Sequence, residues 1–248
     1  MWRCSPWAFL PPVYSVCTAA GLWLVYFVAV STETVRPLGS QHRRGNNTKM
    51  YPPIISIAGN FPPASCIFSE VMNLAAFVGF IIGVLRYMQL KSRLGKSWLN
   101  VCSLVAFSIG CFGMTLIGNF QLFTDGLIHN SGTLMTFGLG TLFCWMQSFI
   151  TLGANMGSDE KAAAIARFVL SGCITVCMCL KTYFGLMSLY MQEAQSQWAL
   201  VMFFLIFIGT FGIEFRHSRF EIISMEASRR PVLQAEASEW TDQQLDQL

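Results

Sequence analysis

Charged side chains are scarce in this chain. Asp, Glu, Lys and Arg make up 12% of its 248 residues, whereas hydrophobic residues make up 54%. Soluble domains carry roughly a quarter charged residues, so this composition argues against a water-soluble globule. The formal net charge is only +3, and the cations are dispersed along the chain. Proteins that bind nucleic acid present a concentrated basic face, and we therefore expect no nucleic acid among the partners.

Reactive groups arranged for catalysis are also missing. The sequence contains no His-Glu-x-x-His, no Gly-x-Ser-x-Gly and no phosphate-cradling glycine loop, and no Asp lies in a long apolar run. Its nine cysteines do not form a disulfide framework. The spacing of Cys173, Cys177 and Cys179 matches neither a zinc site nor a redox motif, so we interpret them as small apolar side chains. We expect no enzymatic activity, no catalytic residues, no metal site and no cofactor.

Long apolar runs are what the chain has in abundance. A membrane-spanning helix needs about 20 predominantly apolar residues, and a helix satisfies its own backbone within hydrocarbon. Six runs reach or approach this length, and we predict helices at about 8–30, 67–85, 98–118, 131–152, 165–187 and 197–213. We favour a retained first helix over a cleaved signal peptide, because its apolar stretch exceeds the usual signal core of about 7–15 residues. The predicted fold class is all-α: a polytopic membrane protein whose six-transmembrane-helix bundle occupies residues 1–213.

The Lys and Arg residues predict the orientation of this bundle. Of the 16 in the chain, 11 fall on one predicted face, whereas the loop at 31–66 holds four. Because cytoplasmic loops carry the excess of Lys and Arg, we predict that both termini are cytoplasmic. Asn46 begins the only Asn-x-Ser/Thr sequon and lies in the 31–66 loop, so we predict an extracellular loop glycosylated at Asn46. The polar residues 214–248 are predicted to form a cytoplasmic, mostly disordered tail.

A basic segment follows the second predicted helix and contains no acid. Each cation close to an anionic membrane surface contributes about 1 kcal/mol. The candidates for lipid contacts at the inner leaflet are Arg86, Lys91, Arg93 and Lys96. The lipid partners would be anionic lipids or phosphoinositides. The plainer alternative is that these cations only set the topology.

Lys181 is the candidate intramembrane functional charge. It lies 14 residues beyond Arg167 in the fifth predicted helix, about 21 Å along the helix. A lysine at the bilayer centre costs roughly 2.5–3.5 kcal/mol on insertion scales. The side chain can lower this cost by extending toward the interface, and we favour this structural role. The alternative is a functional charge near an ion path or a partner.

Short motifs in a fixed order carry a resemblance to a known family. They include Pro62-Pro63-Ala64-Ser65-Cys66 before the second helix, Arg86-Tyr87 after it, and Gly118-Asn119-Phe120-Gln121 after the third helix. The chain resembles the DRAM superfamily, and within it the transmembrane-protein-150 group, especially its C-type members. The family-motif residues are Pro62, Pro63, Cys66, Asn119 and Gln121.

The resemblance implies six helices without enzymatic chemistry and a role in slowly inactivating, mechanically activated cation currents. We therefore expect a component or modulator of such a channel at the plasma membrane. It would act as a homo-oligomer or together with a separate mechanosensitive channel. The alternative is a non-conducting membrane scaffold that regulates phosphoinositide metabolism or autophagy, at the plasma membrane or an endolysosomal membrane.

Overall fold

The computed structural model describes residues 5–40, 50–94, 98–153, 158–216 and 218. These residues are almost entirely helical. The longer helices are Leu10–Ser31, Ala64–Leu94, Trp98–Asn119, Gly126–Leu134, Gly140–Gly153, Ser158–Leu186 and Tyr190–Gly209. Shorter segments are the 3-10 turn Pro6–Phe9, the helical turns Ile55–Ala58 and Gly212–Phe215, and a π turn at Met135–Leu139. The π turn joins two of the longer helices into one continuous segment.

Within the described residues, six segments are long and apolar enough to cross a membrane, which confirms the predicted six-span helical fold. We call them the first to sixth spans. They are Pro6–Ser31, Ala64–Lys91, Trp98–Asn119, Gly126–Gly153, Lys161–Leu186 and Tyr190–Phe215. Several lipid-facing side chains are large and apolar, as expected for helices surrounded by hydrocarbon rather than water.

The six spans form a ring around a central axis. Each span packs chiefly against the next one along the chain, and the sixth packs against the first. We call the end of the ring that carries residues 32–63 its outer end and the opposite end its inner end. The N-terminal turn Pro6–Phe9 packs against Gly212–Phe215 at the inner end. The start of the first span and the end of the sixth span are thereby held together.

The described part of the 31–66 loop covers the outer end. The backbone N–H of Ile55 donates to Oε1 of Gln197 at 3.0 Å, and Nε1 of Trp198 donates to the carbonyl of Pro53 at 3.0 Å. The ring of Trp198 also stacks on Trp23, with the ring centroids 4.4 Å apart. These contacts bind the loop to the first and sixth spans.

Four phenylalanines fill the interior of the ring toward its inner end. Phe107 stacks on Phe143 with a centroid distance of 4.2 Å, and Phe143 meets the edges of Phe207 and Phe211. All four are buried. Side chains from the third, fourth and sixth spans therefore close the centre of the bundle with apolar rings, which offer nothing to replace the hydration shell of an ion.

Several helices extend beyond their predicted ends, and two of these extensions bury charged side chains. The second helix continues beyond residue 85 to Leu94, and Arg86 and Gln89 turn into the protein rather than toward water. The sixth span continues to Phe215, so Glu214 belongs to the bundle and not to the predicted tail. Glu214 is 0% exposed. The rest of the predicted tail, apart from Phe215, Arg216 and Ser218, lies outside the described residues.

Candidate functional site: a buried arginine–glutamate–arginine cluster

Three charged side chains meet inside the inner end of the ring. Arg86 comes from the second span, Arg167 from the fifth and Glu214 from the sixth. Their exposed fractions are 1%, 0% and 0%. Ionisable side chains are rare within membrane spans and usually mark a functional element. We therefore take this group, called here the Arg–Glu–Arg cluster, as the candidate site.

Glu214 is shared between the two arginines. Arg167 forms a two-pronged pair with it, Nη1 to Oε1 at 2.5 Å and Nη2 to Oε2 at 2.6 Å. Arg86 reaches Oε1 through Nη2 at 3.3 Å. Two-pronged arginine–carboxylate pairs combine charge with fixed geometry. Arg167 is accordingly the closer partner, and Arg86 completes the coordination of one carboxylate oxygen.

Neutral oxygens accept the other guanidinium protons. Nε of Arg86 donates to Gln147 at 3.0 Å and its Nη1 to Gln89 at 2.7 Å. Thr151 accepts from both arginines, at 3.2 Å from Arg86 and 2.9 Å from Arg167. These uncharged acceptors hold the two guanidinium groups in place beside the carboxylate of Glu214.

The sixth span supplies two further contacts from the same turn as Glu214. Thr210 accepts a hydrogen bond from Nε of Arg167 at 2.9 Å. Both guanidinium carbons lie over the ring of Phe211, 4.9 Å from its centre for Arg86 and 4.8 Å for Arg167. An aromatic face attracts a cation more strongly where water is excluded. The segment from Thr210 to Glu214 therefore holds both arginines.

Gly212 makes this arrangement possible on the other side of the helix. A Cβ at this position would lie 2.7 Å from the carbonyl oxygen of Ala8. The N-terminal turn could not pack so closely against a larger residue. The backbone N–H of Ser5 also donates to the carbonyl of Arg216 at 3.3 Å. The N-terminal turn thus braces the segment that carries Glu214.

The contacts of this site are structural, because they link side chains from three spans. Glu214 and the two arginines are hydrogen-bonded within the protein, and Glu214 and Arg167 are sealed from solvent. Burying charges costs several kcal/mol per ion, and removing one partner of such a group is strongly destabilising. The cluster therefore ties three spans together at one end and disfavours any rearrangement that separates them.

Arg86 is a correction to the sequence prediction of inner-leaflet lipid contacts. It is 1% exposed and its guanidinium faces Glu214 and Gln147, so a lipid headgroup does not reach it in this structure. Lys91 is exposed, with its Nζ 6.0 Å from the centre of the Tyr87 ring. The side chains of Arg93 and Lys96 lie outside the part of the chain that the structure describes.

Lys181 has a partner that the sequence prediction did not name. Its Nζ lies 3.8 Å from Oε1 of Glu193, and the two side chains are 21% and 15% exposed. Glu193 comes from the first turn of the sixth span, which follows the fifth span after a tight turn. The sequence did contain an indication of this pair, because Glu193 stands at the start of the sixth span. The outer ends of the fifth and sixth spans must lie close together, since only a short turn joins them.

The family-motif residues lie at the outer end. Pro62 and Pro63 are joined by a cis peptide bond, and Cys66 is exposed. Asn119 accepts hydrogen bonds from Ser69 and Asn73, both at 2.9 Å. The backbone carbonyl of Gln121 accepts from Thr124 and Asp125. Asn46 lies outside the described residues, so its glycosylation stays a prediction.

Residues 6–218 match the family model described as the Frag1/DRAM/Sfk1/Cwh43P N-terminal domain. The zebrafish (Danio rerio) protein "Modulator of macroautophagy TMEM150B" is 33% identical over 98% of this chain and 99% of its own length. The Xenopus tropicalis protein of the same name is 30% identical over 88% of each chain. Human "Transmembrane protein 150A" is 30% identical over 85% of this chain and 84% of its own. No solved structure matches this chain.

Proposed function

Because this chain belongs to the Frag1/DRAM/Sfk1/Cwh43 family, as its motifs predicted, we propose that it modulates macroautophagy as a non-enzymatic, non-conducting membrane scaffold. The observation that carries this proposal is the similarity to TMEM150B, a named modulator of macroautophagy, over 98% of the chain. The similarity covers all six spans and the outer loop. This was the alternative hypothesis from the sequence.

The packing of the bundle supports a non-conducting role. Phe107, Phe143 and Phe211 are buried in the interior of the ring, and Phe143 contacts both of the others. The two guanidinium groups of the Arg–Glu–Arg cluster pack over Phe211 and fill the space beside these rings. An ion path needs polar groups to replace the hydration shell, and this interior supplies apolar rings instead.

The mechanically activated channel stays a prediction, as does the closer likeness to C-type members of the group. The relatives named above include members A and B, and their names describe no channel. We further propose that both termini are cytoplasmic and that the protein resides in the plasma or an endolysosomal membrane. Exposed Lys91 would then face anionic or phosphoinositide headgroups of the cytoplasmic leaflet.

Autophagic flux tests the proposal. The gene is deleted in cells that express it, and lysosome-dependent turnover of a lipidated autophagosome marker is measured with and without a lysosomal inhibitor. We expect deletion to change the flux and the wild-type chain to restore it. We also expect Glu193→Gln to restore the flux and Glu214→Gln to fail, because Glu214 links three spans in a buried cluster, whereas Glu193 pairs loosely with Lys181 at partly exposed positions. Flux that does not respond to deletion, under starvation or in nutrients, would contradict the proposal.

A further inference from the structure

A narrow cavity runs along the centre of the ring from its middle toward its outer end. It has a volume of about 70 Å³, and every span contributes to its wall, for example through Tyr14, Phe68, Met114, Phe137, Ile174 and Leu205. On the sixth span its lining extends from Gln197 to Leu205, about 12 Å along a helix. The cavity is therefore long for its volume, and this shape suits a linear hydrocarbon chain better than a compact system of fused rings.

The wall of the cavity is mostly apolar, and three of its polar side chains bond to the protein itself. Thr136 donates to the carbonyl of Gly110 at 3.2 Å, and Thr141 donates to the carbonyl of Phe137 at 2.7 Å. Oε1 of Gln197 accepts the backbone N–H of Ile55. A buried water needs two to four polar partners, and a larger apolar cavity of roughly 150 Å³ stays dry and binds benzene. The natural occupant here is hydrocarbon.

The fourth and fifth spans pack together over only part of their length, beside this cavity. From the inner end outward, these spans touch at Ser148 with Ser171, Trp145 with Thr175, and Thr141 with Met178. Farther out, the described part of the fourth span packs chiefly against the third span, and the fifth span packs chiefly against the sixth. The spans therefore diverge above Thr141.

A local irregularity marks the point of divergence. The π turn Met135–Leu139 follows directly on the helix Gly126–Leu134 and ends where the helix that carries Thr141 begins. Such turns are rare and are found frequently at functional sites. Thr136 and Phe137, both in this turn, line the cavity yet are only partly buried. They are thus accessible both from the cavity and from the surrounding bilayer.

The ammonium group of Lys181 lies just beyond the point where the fourth and fifth spans diverge. Lys181 follows Met178 by three residues, so the two share a helix face. Its Nζ is 3.8 Å from Glu193, too long for a hydrogen bond, and the side chain is 21% exposed. The ammonium group can therefore donate hydrogen bonds to an anionic group at the level where the cavity meets the lipid.

We propose that the cavity takes one acyl chain of a membrane phospholipid. The chain enters between the fourth and fifth spans above Thr141, and the phosphate of the same lipid lies against Lys181. The site makes the outer half of the bundle sensitive to the lipid around it, independently of any role in autophagy. A sterol would fit the cavity less well, because its rigid ring system is broader than this cavity.

Photo-crosslinking tests the proposal in nanodiscs made with the purified full-length protein. The probe is a phosphatidylcholine with a diazirine near the end of one acyl chain, and labelled residues are mapped by mass spectrometry. We expect labels on cavity residues such as Phe137, Ile174 or Leu205 in the wild-type protein. Labels confined to lipid-facing side chains such as Leu134 and Leu186 would overturn the proposal, whatever the variants do.

Two variants sharpen the test. Ile174→Phe fills the cavity and should abolish the cavity label, whereas Val176→Phe, a lipid-facing control on the same span, should retain it. Lys181→Gln should lower the label by up to about fivefold, which corresponds to about 1 kcal/mol for one partly exposed ion pair. It should not change labelling by a diazirine-bearing fatty alcohol, which lacks the phosphate.

Three outcomes contradict the proposal. A cavity label that survives in well-folded Ile174→Phe would place the probe elsewhere. An equal phospholipid label in Lys181→Gln would exclude the phosphate contact. Displacement of the label by cholesterol at low mole fraction, with no displacement by unlabelled phospholipid, would identify a sterol site.

Discussion

Replacing Glu214 with glutamine removes one charge from the Arg–Glu–Arg cluster and changes the size of the side chain very little. The amide of the new side chain could still accept one hydrogen bond from either arginine. It could not neutralise Arg86 and Arg167, which would lose the carboxylate that they share. The substitution therefore isolates the electrostatic contribution of the carboxylate.

The size of the effect follows from the contacts of Glu214. Its oxygens lie 2.5 and 2.6 Å from Arg167 and 3.3 Å from Arg86, and all three side chains are buried. Opposite charges about 4 Å apart attract by about 4 kcal/mol at an effective dielectric constant of 20. Breaking a buried pair by removing one partner typically costs about 3–5 kcal/mol. We expect Glu214→Gln to destabilise the protein by this amount.

Thermal stability in detergent measures the effect. For chains of roughly this size, 1 kcal/mol shifts the melting temperature by about 2–4 °C, so we expect a loss of about 6–20 °C in fluorescence-detected size-exclusion chromatography. The matched control is Glu193→Gln, because Glu193 and its partner Lys181 lie 3.8 Å apart and are both partly exposed. Loosely paired charges of this kind contribute about 0–1 kcal/mol.

The arginines provide an internal check on the reasoning. Arg86→Gln leaves the two-pronged Arg167–Glu214 pair intact and removes only the longer contact, the one between Arg86 and Oε1 of Glu214. It should therefore destabilise the protein less than Glu214→Gln does. The reasoning is refuted if Glu214→Gln melts within about 2 °C of Glu193→Gln, or if Arg86→Gln proves to be the most damaging of the three.

Three further predictions concern other parts of the bundle. Gly113→Ala should destabilise the protein by about 1–3 kcal/mol through overpacking, because the new Cβ would lie 2.6 Å from the carbonyl oxygen of Gly132. The control Gly126→Ala should be neutral in the same melting assay, because its Cβ would meet nothing within 4 Å. Gln197→Ala leaves the buried N–H of Ile55 without its acceptor and should cost about 1–3 kcal/mol, seen also as faster hydrogen exchange of the loop. Lys181→Leu should leave surface expression intact, as measured by biotinylation, and a sharp fall in expression would contradict the interpretation that this lysine only extends toward the interface.

The six spans could be predicted from the sequence because hydropathy reports directly which solvent a helix enters. The fourth span shows the same rule at work, since its uncharged run at 131–152 falls entirely within the observed Gly126–Gly153. The helix ends were less predictable. Arg86 and Glu214 follow apolar runs, and a charge in that position fits an outward-facing helix end as well as a buried cluster.

The cluster itself could not be predicted from local sequence. Arg86, Arg167 and Glu214 are separated by 47 residues or more, and only the order of the helices in the ring brings them together. One indication was nevertheless present. Glu214 stands between Ile213 and Phe215, and a lone acid among apolar residues at the end of a span is better explained by a buried partner than by a solvated tail.

We propose that the bundle is closed toward its inner end by packed phenylalanine rings and does not conduct ions. Patch recording tests this most directly, in liposomes that contain only the purified protein, with suction applied to raise membrane tension. We expect no tension-activated current, in the wild-type protein or in the Glu193→Gln control. Reproducible cation channels that open under tension in these liposomes would contradict the proposal.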